Sequence, residues 1–272
     1  MASFIPNILI SKFQDMRQYF TPVLEVSQFY EKGQLTPDEF VLAGEYLTRL
    51  APSWSWARGD DSRLKPYLPP DKQFLISKRV VCMKRVHQMV NGDADIISMK
   101  ASETVLPQSP ESSVRSAPSP EDDDTYDDLS SYIESDLVTA SIPAIPFPPS
   151  TDSEHIRYYD ISIVYDNYYR TPRVYLCGFT PEGRPLGQGE TMEDIIQDYI
   201  QKTATIDAHP HTGLQNISIH PCRHAETIKR IVDLMSSNDK TPPIQMYLFI
   251  FLKFISSMIP TIDYDNTMPV TV

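Results

Sequence analysis

Arg157-Tyr-Tyr-Asp-Ile-Ser-Ile-Val-Tyr165 and Arg173-Val-Tyr-Leu-Cys-Gly-Phe179 decide the fold class. Both alternate between polar and apolar positions and are rich in aromatic and β-branched residues, the pattern of strands with one buried face. A turn at Thr171-Pro172 is expected between them. Upstream, Lys72-Gln-Phe-Leu-Ile-Ser-Lys-Arg-Val-Val-Cys-Met83 reads as a third strand of the same antiparallel meander. Helices flank this group. Residues 7–20 form one, and Thr36-Pro-Asp-Glu-Phe40 opens another. Thr191-Met-Glu-Asp194 matches a capping box that starts a helix running through Ile200. Ala225, Ile228, Ile231, Val232 and Met235 form an apolar stripe at helical spacing. After a turn at 236–243, a last helix stops before Pro260. The order predicts an α+β fold, with helices flanking an antiparallel sheet.

The 272 residues carry a formal net charge of -12, which argues against nucleic acid as a partner, because phosphate binding needs a basic surface. That charge is concentrated: residues 101–150 hold ten acidic side chains against one basic one, Arg115. In the same stretch 29 residues are Ser, Pro, Asp or Glu, too little apolar material to offset the entropy of ordering. Residues 92–154 therefore read as a flexible acidic insertion, which a folded domain tolerates because loop-closure cost grows slowly with length. The three cysteines, Cys82, Cys177 and Cys222, are far apart and odd in number, which fits a reducing intracellular compartment. No signal-peptide pattern opens the chain. The run Met246-Tyr-Leu-Phe-Ile-Phe-Leu252 is too short to span a bilayer and is expected in the core of a soluble protein.

Cys82 and Cys177 fall within strand patterns, whereas Cys222 stands in Ile219-His-Pro-Cys-Arg-His-Ala-Glu226. Pro221 suits the first turn of a helix, so Cys222 sits where unpaired N–H groups and the helix dipole stabilise a thiolate. His220, Arg223 and His224 add donors or positive charge. Three readings of Cys222 stand on these residues: a nucleophile, a buried structural cysteine, or a zinc ligand together with His220, His224, His209 and His211. The spacing His-x-Cys-x-His is unusual for structural zinc, and His209 and His211 flank Pro210 as loop residues would. A hydrolase would require a base held by an orienting partner, and no such signature accompanies His224. No glycine-rich phosphate loop is present, so activation of an acyl group has to come from elsewhere.

Further tracts sharpen this. Lys202-Thr-Ala-Thr-Ile-Asp207, Ser218-Ile-His-Pro-Cys-Arg-His-Ala-Glu226, Tyr247-Leu-Phe-Ile-Phe-Leu-Lys-Phe254 and Ile259-Pro-Thr-Ile-Asp-Tyr-Asp265 resemble the autophagy-related protein 3 family. Tyr19-Phe-Thr-Pro-Val-Leu24, Ala51-Pro-Ser-Trp-Ser-Trp-Ala57 and Tyr67-Leu-Pro-Pro-Asp-Lys-Gln-Phe-Leu75 extend the likeness over most of residues 1–90 and 155–265. The resemblance implies a ubiquitin-conjugating-enzyme-like fold over residues 21–265. It implies a transferase of autophagy that takes a ubiquitin-like modifier as a thioester on Cys222 and passes it to phosphatidylethanolamine, with no cofactor. It also implies that Thr203 occupies the place of the asparagine that steadies the oxyanion in classical conjugating enzymes. Pro221 and His224 shape the site, His224 either tuning the thiol or taking the amine's proton. The competing reading is a conjugating-enzyme fold with an inert cysteine, or a zinc-stabilised adaptor.

The same resemblance makes residues 1–20 a membrane-binding helix. Phe4, Ile5, Ile8, Leu9, Phe13 and Met16 recur at helical spacing opposite Asn7, Ser11, Gln14, Asp15 and Gln18. Low charge there points to apolar insertion more than attraction to anionic lipid. The acidic insertion is implied to dock the activating enzyme, of autophagy-related protein 7 type. Within it, Asp122-Asp-Asp-Thr-Tyr-Asp-Asp-Leu129 fits an aromatic-x-x-aliphatic motif whose Tyr126 and Leu129 bind a modifier of autophagy-related protein 8 type by strand addition. An autophagy-related protein 12-type conjugate is a further implied partner. The expected location is cytoplasmic, with transient association with autophagic membranes. The turn between the last two helices is short, and the tail 266–272 matches nothing in the family.

Overall fold

A computed structural model of the chain describes residues 20–86, 89, 156–237, 241–262 and 264. The helix read over 7–20 lies outside these residues except for Phe20, and so does the whole of the insertion. Among the described residues, six antiparallel strands form one sheet: β1 (Trp54–Ala57), β2 (Phe74–Cys82), β3 (Arg157–Asp166), β4 (Thr171–Phe179), β5 (Ala204–Ala208) and β6 (Gln215–Ile219). Their order is β1-β2-β3-β4-β6-β5, so the last hairpin joins β4 through its second strand. The α+β class and the central meander agree with the sequence reading. Strands β1, β5 and β6 were not expected.

Two local readings need correction. Thr171 and Pro172 belong to β4, paired with Asp166 and Tyr165, and the turn is made by Asn167–Arg170 instead. Asp166 drives this, because its Oδ1 accepts the Tyr168 and Tyr169 amides at 3.0 and 3.1 Å and so closes the turn early. The helix expected from Thr191 to Ile200 is two short ones, α3 (Gln188–Met192) and α4 (Gln197–Lys202). The first is capped by Glu190, whose Oε2 accepts the Gly187 amide at 2.6 Å. Between them the backbone turns to tertiary partners. Ile196 N–H donates to Met258 O at 3.0 Å, and Asp194 O accepts from Thr261 Oγ1 at 2.9 Å. Buried Asp194 also takes Arg85 at 2.6 Å and Arg157 at 3.0 Å, tying this turn to the end of β2 and the start of β3. A continuous helix would break all of these.

Two helices at the N-terminal side matter for packing. Helix α1 (Phe29–Lys32) ends at Gly33, whose φ of 67° is left-handed. A Cβ there would lie 2.1 Å from Ala225 O, so glycine is what lets α1 rest on the start of α5 (His224–Ser237). Helix α2 (Pro37–Leu50) starts where Thr36-Pro-Asp-Glu-Phe40 predicts, and Thr36 with Glu39 closes a capping box there. Inside it, Gly44 leaves room for the Trp56 ring, which a Cβ would meet at 2.2 Å. Helix α6 (Tyr247–Met258) is buried along Tyr247–Leu252, as its apolar run predicts, and Lys253 is exposed. These helices and one sheet face enclose the main core. The opposite face holds a smaller cluster of Phe74, Val164 and Tyr175. At β2 the register shifts between Ser77 and Val80, where Arg79 (φ 53°) forms a bulge and donates its amide to Asp160 at 2.9 Å.

Candidate active site

Strand β6 delivers the chain to the site. Its last pair is Ile219 with Ala204, and His220 N–H then donates to Thr203 O at 2.7 Å. Pro221, buried, opens a single 3₁₀ turn over Pro221–Arg223 that runs straight into α5. Proline is suited here because its fixed φ matches the turn and its missing N–H would have had no partner. Cys222 occupies this turn and is exposed, whereas Cys82 is buried and Cys177 half-buried. Burial pushes the Cys82 and Cys177 thiols up, away from thiolate. Of three thiols, one is presented to solvent at a helix start.

The residues singled out with Cys222 are brought to the same loop but face different ways. The Cys222 amide donates to His220 Nδ1 at 3.3 Å, so the histidine acts as the helix cap. Thr203 is half-buried, and its hydroxyl donates to Tyr199 O at 2.9 Å, one turn back in α4. His224 points inward. Its ring lies edge-on to Phe251 and Phe254, each 5.4 Å away, and Nδ1 donates to Pro172 O at 3.0 Å. Burial pushes its pKa down to about 4, so it is neutral at pH 7. The side chains of Cys222 and His224 therefore diverge, one to solvent and one to the core. Among the described residues no group of three or more His, Cys, Asp or Glu side chains could hold a metal ion.

His209 and His211 also prove to be buried. They lie in the loop at the far end of the β5–β6 hairpin, packed on Phe74 at 4.8 and 5.3 Å between ring centroids. His209 Nε2 is 3.0 Å from Ser162 Oγ. Burial lowers their pKa values to about 4 and about 3.

Comparison with known proteins identifies the family. Residues 39–266 match the family model described as the autophagocytosis associated protein, active-site domain. An autophagy-related protein 3 of Arabidopsis thaliana is 40% identical, with 89% of this chain and 90% of that one aligned. Those of Dictyostelium discoideum and Schizosaccharomyces pombe are 37% and 31% identical over 91% and 96% of this chain. The chain belongs to the autophagy-related protein 3 family. Membership places it in the ubiquitin-like conjugation system of autophagy. Among the described residues no helix is long and apolar enough to cross a membrane.

Within this family member, two features of the site escaped the sequence. Tyr169, from the β3–β4 turn, places its ring edge-on to His220 at 5.2 Å. Beneath His220, on the same sheet face, the buried Arg173 guanidinium pairs with Asp207 and donates to Ser218 Oγ at 2.6 Å and Thr205 Oγ1 at 3.2 Å. Thr205 and Ser218 hydroxyls also donate to Asp207, at 2.5 and 3.0 Å. Breaking such a pair from one side strands a buried charge, at a cost of about 3–5 kcal/mol. This network locks β4, β5 and β6 together just where the β6 strand leaves for Cys222.

Proposed function

We propose that Cys222 carries a ubiquitin-like modifier as a thioester, received from an activating enzyme, and gives it to the amine of phosphatidylethanolamine. The observation that carries this reading is the exposed Cys222 thiol at the start of α5, with Cys82 and Cys177 withdrawn into the fold. In the first step the Cys222 sulfur attacks the thioester carbonyl on the activating enzyme. A new C–S bond forms, and the enzyme's thiol leaves. The exchange is close to isoenergetic, so placement of the two sulfurs matters more than driving force. In the second step the lipid amine nitrogen attacks the same carbonyl, the C–S bond breaks, and the amine's proton is transferred as the Cys222 thiol is restored.

That second step builds negative charge on the carbonyl oxygen, which calls for a donor. Thr203 is the proposed donor, and its hydroxyl has to release Tyr199 O before it serves. His224, buried and neutral, is proposed to fix the start of α5 against Pro172 and to take no proton from substrate. Membrane insertion by Phe4, Ile5, Ile8, Leu9, Phe13 and Met16 belongs to the same proposal, as does modifier capture by Tyr126 and Leu129. All eight lie outside the described residues.

Incubation with a modifier of autophagy-related protein 8 type, its activating enzyme and ATP tests this. A reductant-sensitive adduct is expected, and Cys222→Ser should convert it to a reductant-resistant ester. A reductant-sensitive adduct persisting in that variant would overturn the assignment. On vesicles containing phosphatidylethanolamine, Leu9→Asp should reduce transfer and spare the Cys222 adduct.

A further inference from the structure

The β3–β4 turn is held on every side. Asp166 accepts the Tyr168 and Tyr169 amides, Arg170 (φ 59°) donates its amide to Asp166 O at 2.7 Å, and Asn167 Nδ2 donates to Thr21 O at 2.8 Å. Arg170 O in turn accepts the Leu35 amide at 2.9 Å. Tyr169 is thereby presented by a rigid platform. Its hydroxyl lies 3.5 Å from His220 Nε2, and the two rings meet edge to face. The other ring nitrogen, Nδ1, accepts from the Cys222 amide, so Nε2 carries the ring proton and donates it to the Tyr169 oxygen. Both nitrogens of His220 are thus assigned, one to the nucleophile's own backbone and one to the tyrosine.

We infer that Tyr169 is a positioning residue for Cys222, acting through His220. The inference rests on the proposed thioester role of Cys222, and it identifies what holds that cysteine in place. The Cys222 amide is one of the N–H groups that a helix start leaves without an intrahelical acceptor. A half-buried imidazole satisfies it only while the ring is neutral and correctly turned. Burial, and next the positive charge of Arg173, keep His220 neutral, against an opposing pull from Asp207. The turn of the ring is set by Tyr169. Without that contact the ring is free to rotate, the cap is lost, and the turn bearing Cys222 loosens.

Two readouts on the full chain separate this from simple packing. The first is the Cys222 amide proton resonance in ¹⁵N-labelled protein, which needs no partner enzyme. Tyr169→Phe keeps the ring but removes the acceptor, and the Cys222 amide should move toward its unbonded position while the rest of the spectrum stays in place. The second is the single-turnover rate of thioester loading, expected to fall about threefold to tenfold, the worth of one hydrogen bond. His220→Asn supplies an amide oxygen, a good helix cap that does not reach Tyr169. In that background Tyr169→Phe should change neither readout, because the two residues act as one unit. An unmoved Cys222 amide in Tyr169→Phe, or an equal loss of rate in the His220→Asn background, overturns the inference. If the Cys222 amide moves in Tyr169→Phe but the wild-type chain accepts no modifier, the thioester reading falls and the Tyr169–His220 link stands.

Discussion

The β5–β6 hairpin ends in a His-Pro-X tripeptide on both sides, and the two ends do opposite things. At its tip, His209-Pro-His211 is folded under, with both rings buried against Phe74 and both pKa values depressed. At its exit, His220-Pro-Cys222 bends outward into a helix start, with the middle proline buried and the cysteine exposed. The residue types are nearly alike, and either tripeptide read alone offers metal ligands or a catalytic dyad. What separates them is the next element. The tip returns into a strand over an apolar ring, while the exit enters α5, whose first amides need acceptors. Chemistry is assigned by where the backbone goes next.

The largest effect expected from this contrast is at the exit. Cys222→Ala should abolish thioester loading, and Cys177→Ala should leave it intact, as read by reductant-sensitive adducts. At the tip the effect should be on stability alone. Phe74→Ala removes the ring beneath both histidines and should lower unfolding free energy by about 3–5 kcal/mol, measured by denaturant titration. Folded Phe74→Ala protein should still load at the wild-type rate; if loading collapses with the fold intact, the tip contributes to the site and the contrast fails.

A smaller effect distinguishes the histidines by pH. His209, His211 and His224 all have folded pKa values well below the ordinary 6.5, through burial. The unfolded chain therefore binds protons that the folded one refuses. Stability is fully present above about pH 6.5 and falls as the pH drops toward about 4, each histidine contributing about 1.4 kcal/mol per pH unit in that window. His211→Leu should flatten the fall by one such share, so that at pH 5.5 the variant has lost about 1.4 kcal/mol less than the wild type relative to pH 8. Denaturation midpoints at the two pH values check it. An unchanged slope would mean that His211 is charged, or solvated, in the folded state.

The long elements were legible because their signals were continuous. Helix α6 announces itself by an unbroken apolar run, α2 by Thr36 and Glu39, and β3 by alternation over its whole length. Strand β1 did not, since Trp54–Ala57 is four residues between breakers, and β5 and β6 are five residues each with no aromatics. The site divides in the same way. Cys222 could be found from its neighbours in sequence, because helix-start chemistry is local. Tyr169 and the Arg173–Asp207 pair could not. They reach the site only because β6 lies beside β4, with β5 outside it, a strand order that no local pattern encodes.

The smallest effect sharpens the contrast most. Leu214, at the tip, is 64% exposed, a large apolar side chain with little of the fold around it. Its backbone, not its side chain, holds the loop, for Leu214 O accepts the His209 amide at 2.8 Å and Thr212 Oγ1 accepts the Leu214 amide at 3.4 Å. Leu214→Ser should therefore change stability by no more than about 0.5 kcal/mol. Loading on Cys222 should be equally indifferent, since five strand residues of β6 separate the two ends. If Leu214→Ser leaves the melting temperature alone and yet slows loading several-fold, the tip is a contact surface for a partner. The hairpin would then work at both ends, and burial of the two histidines would be the support for an exposed contact and not an end in itself.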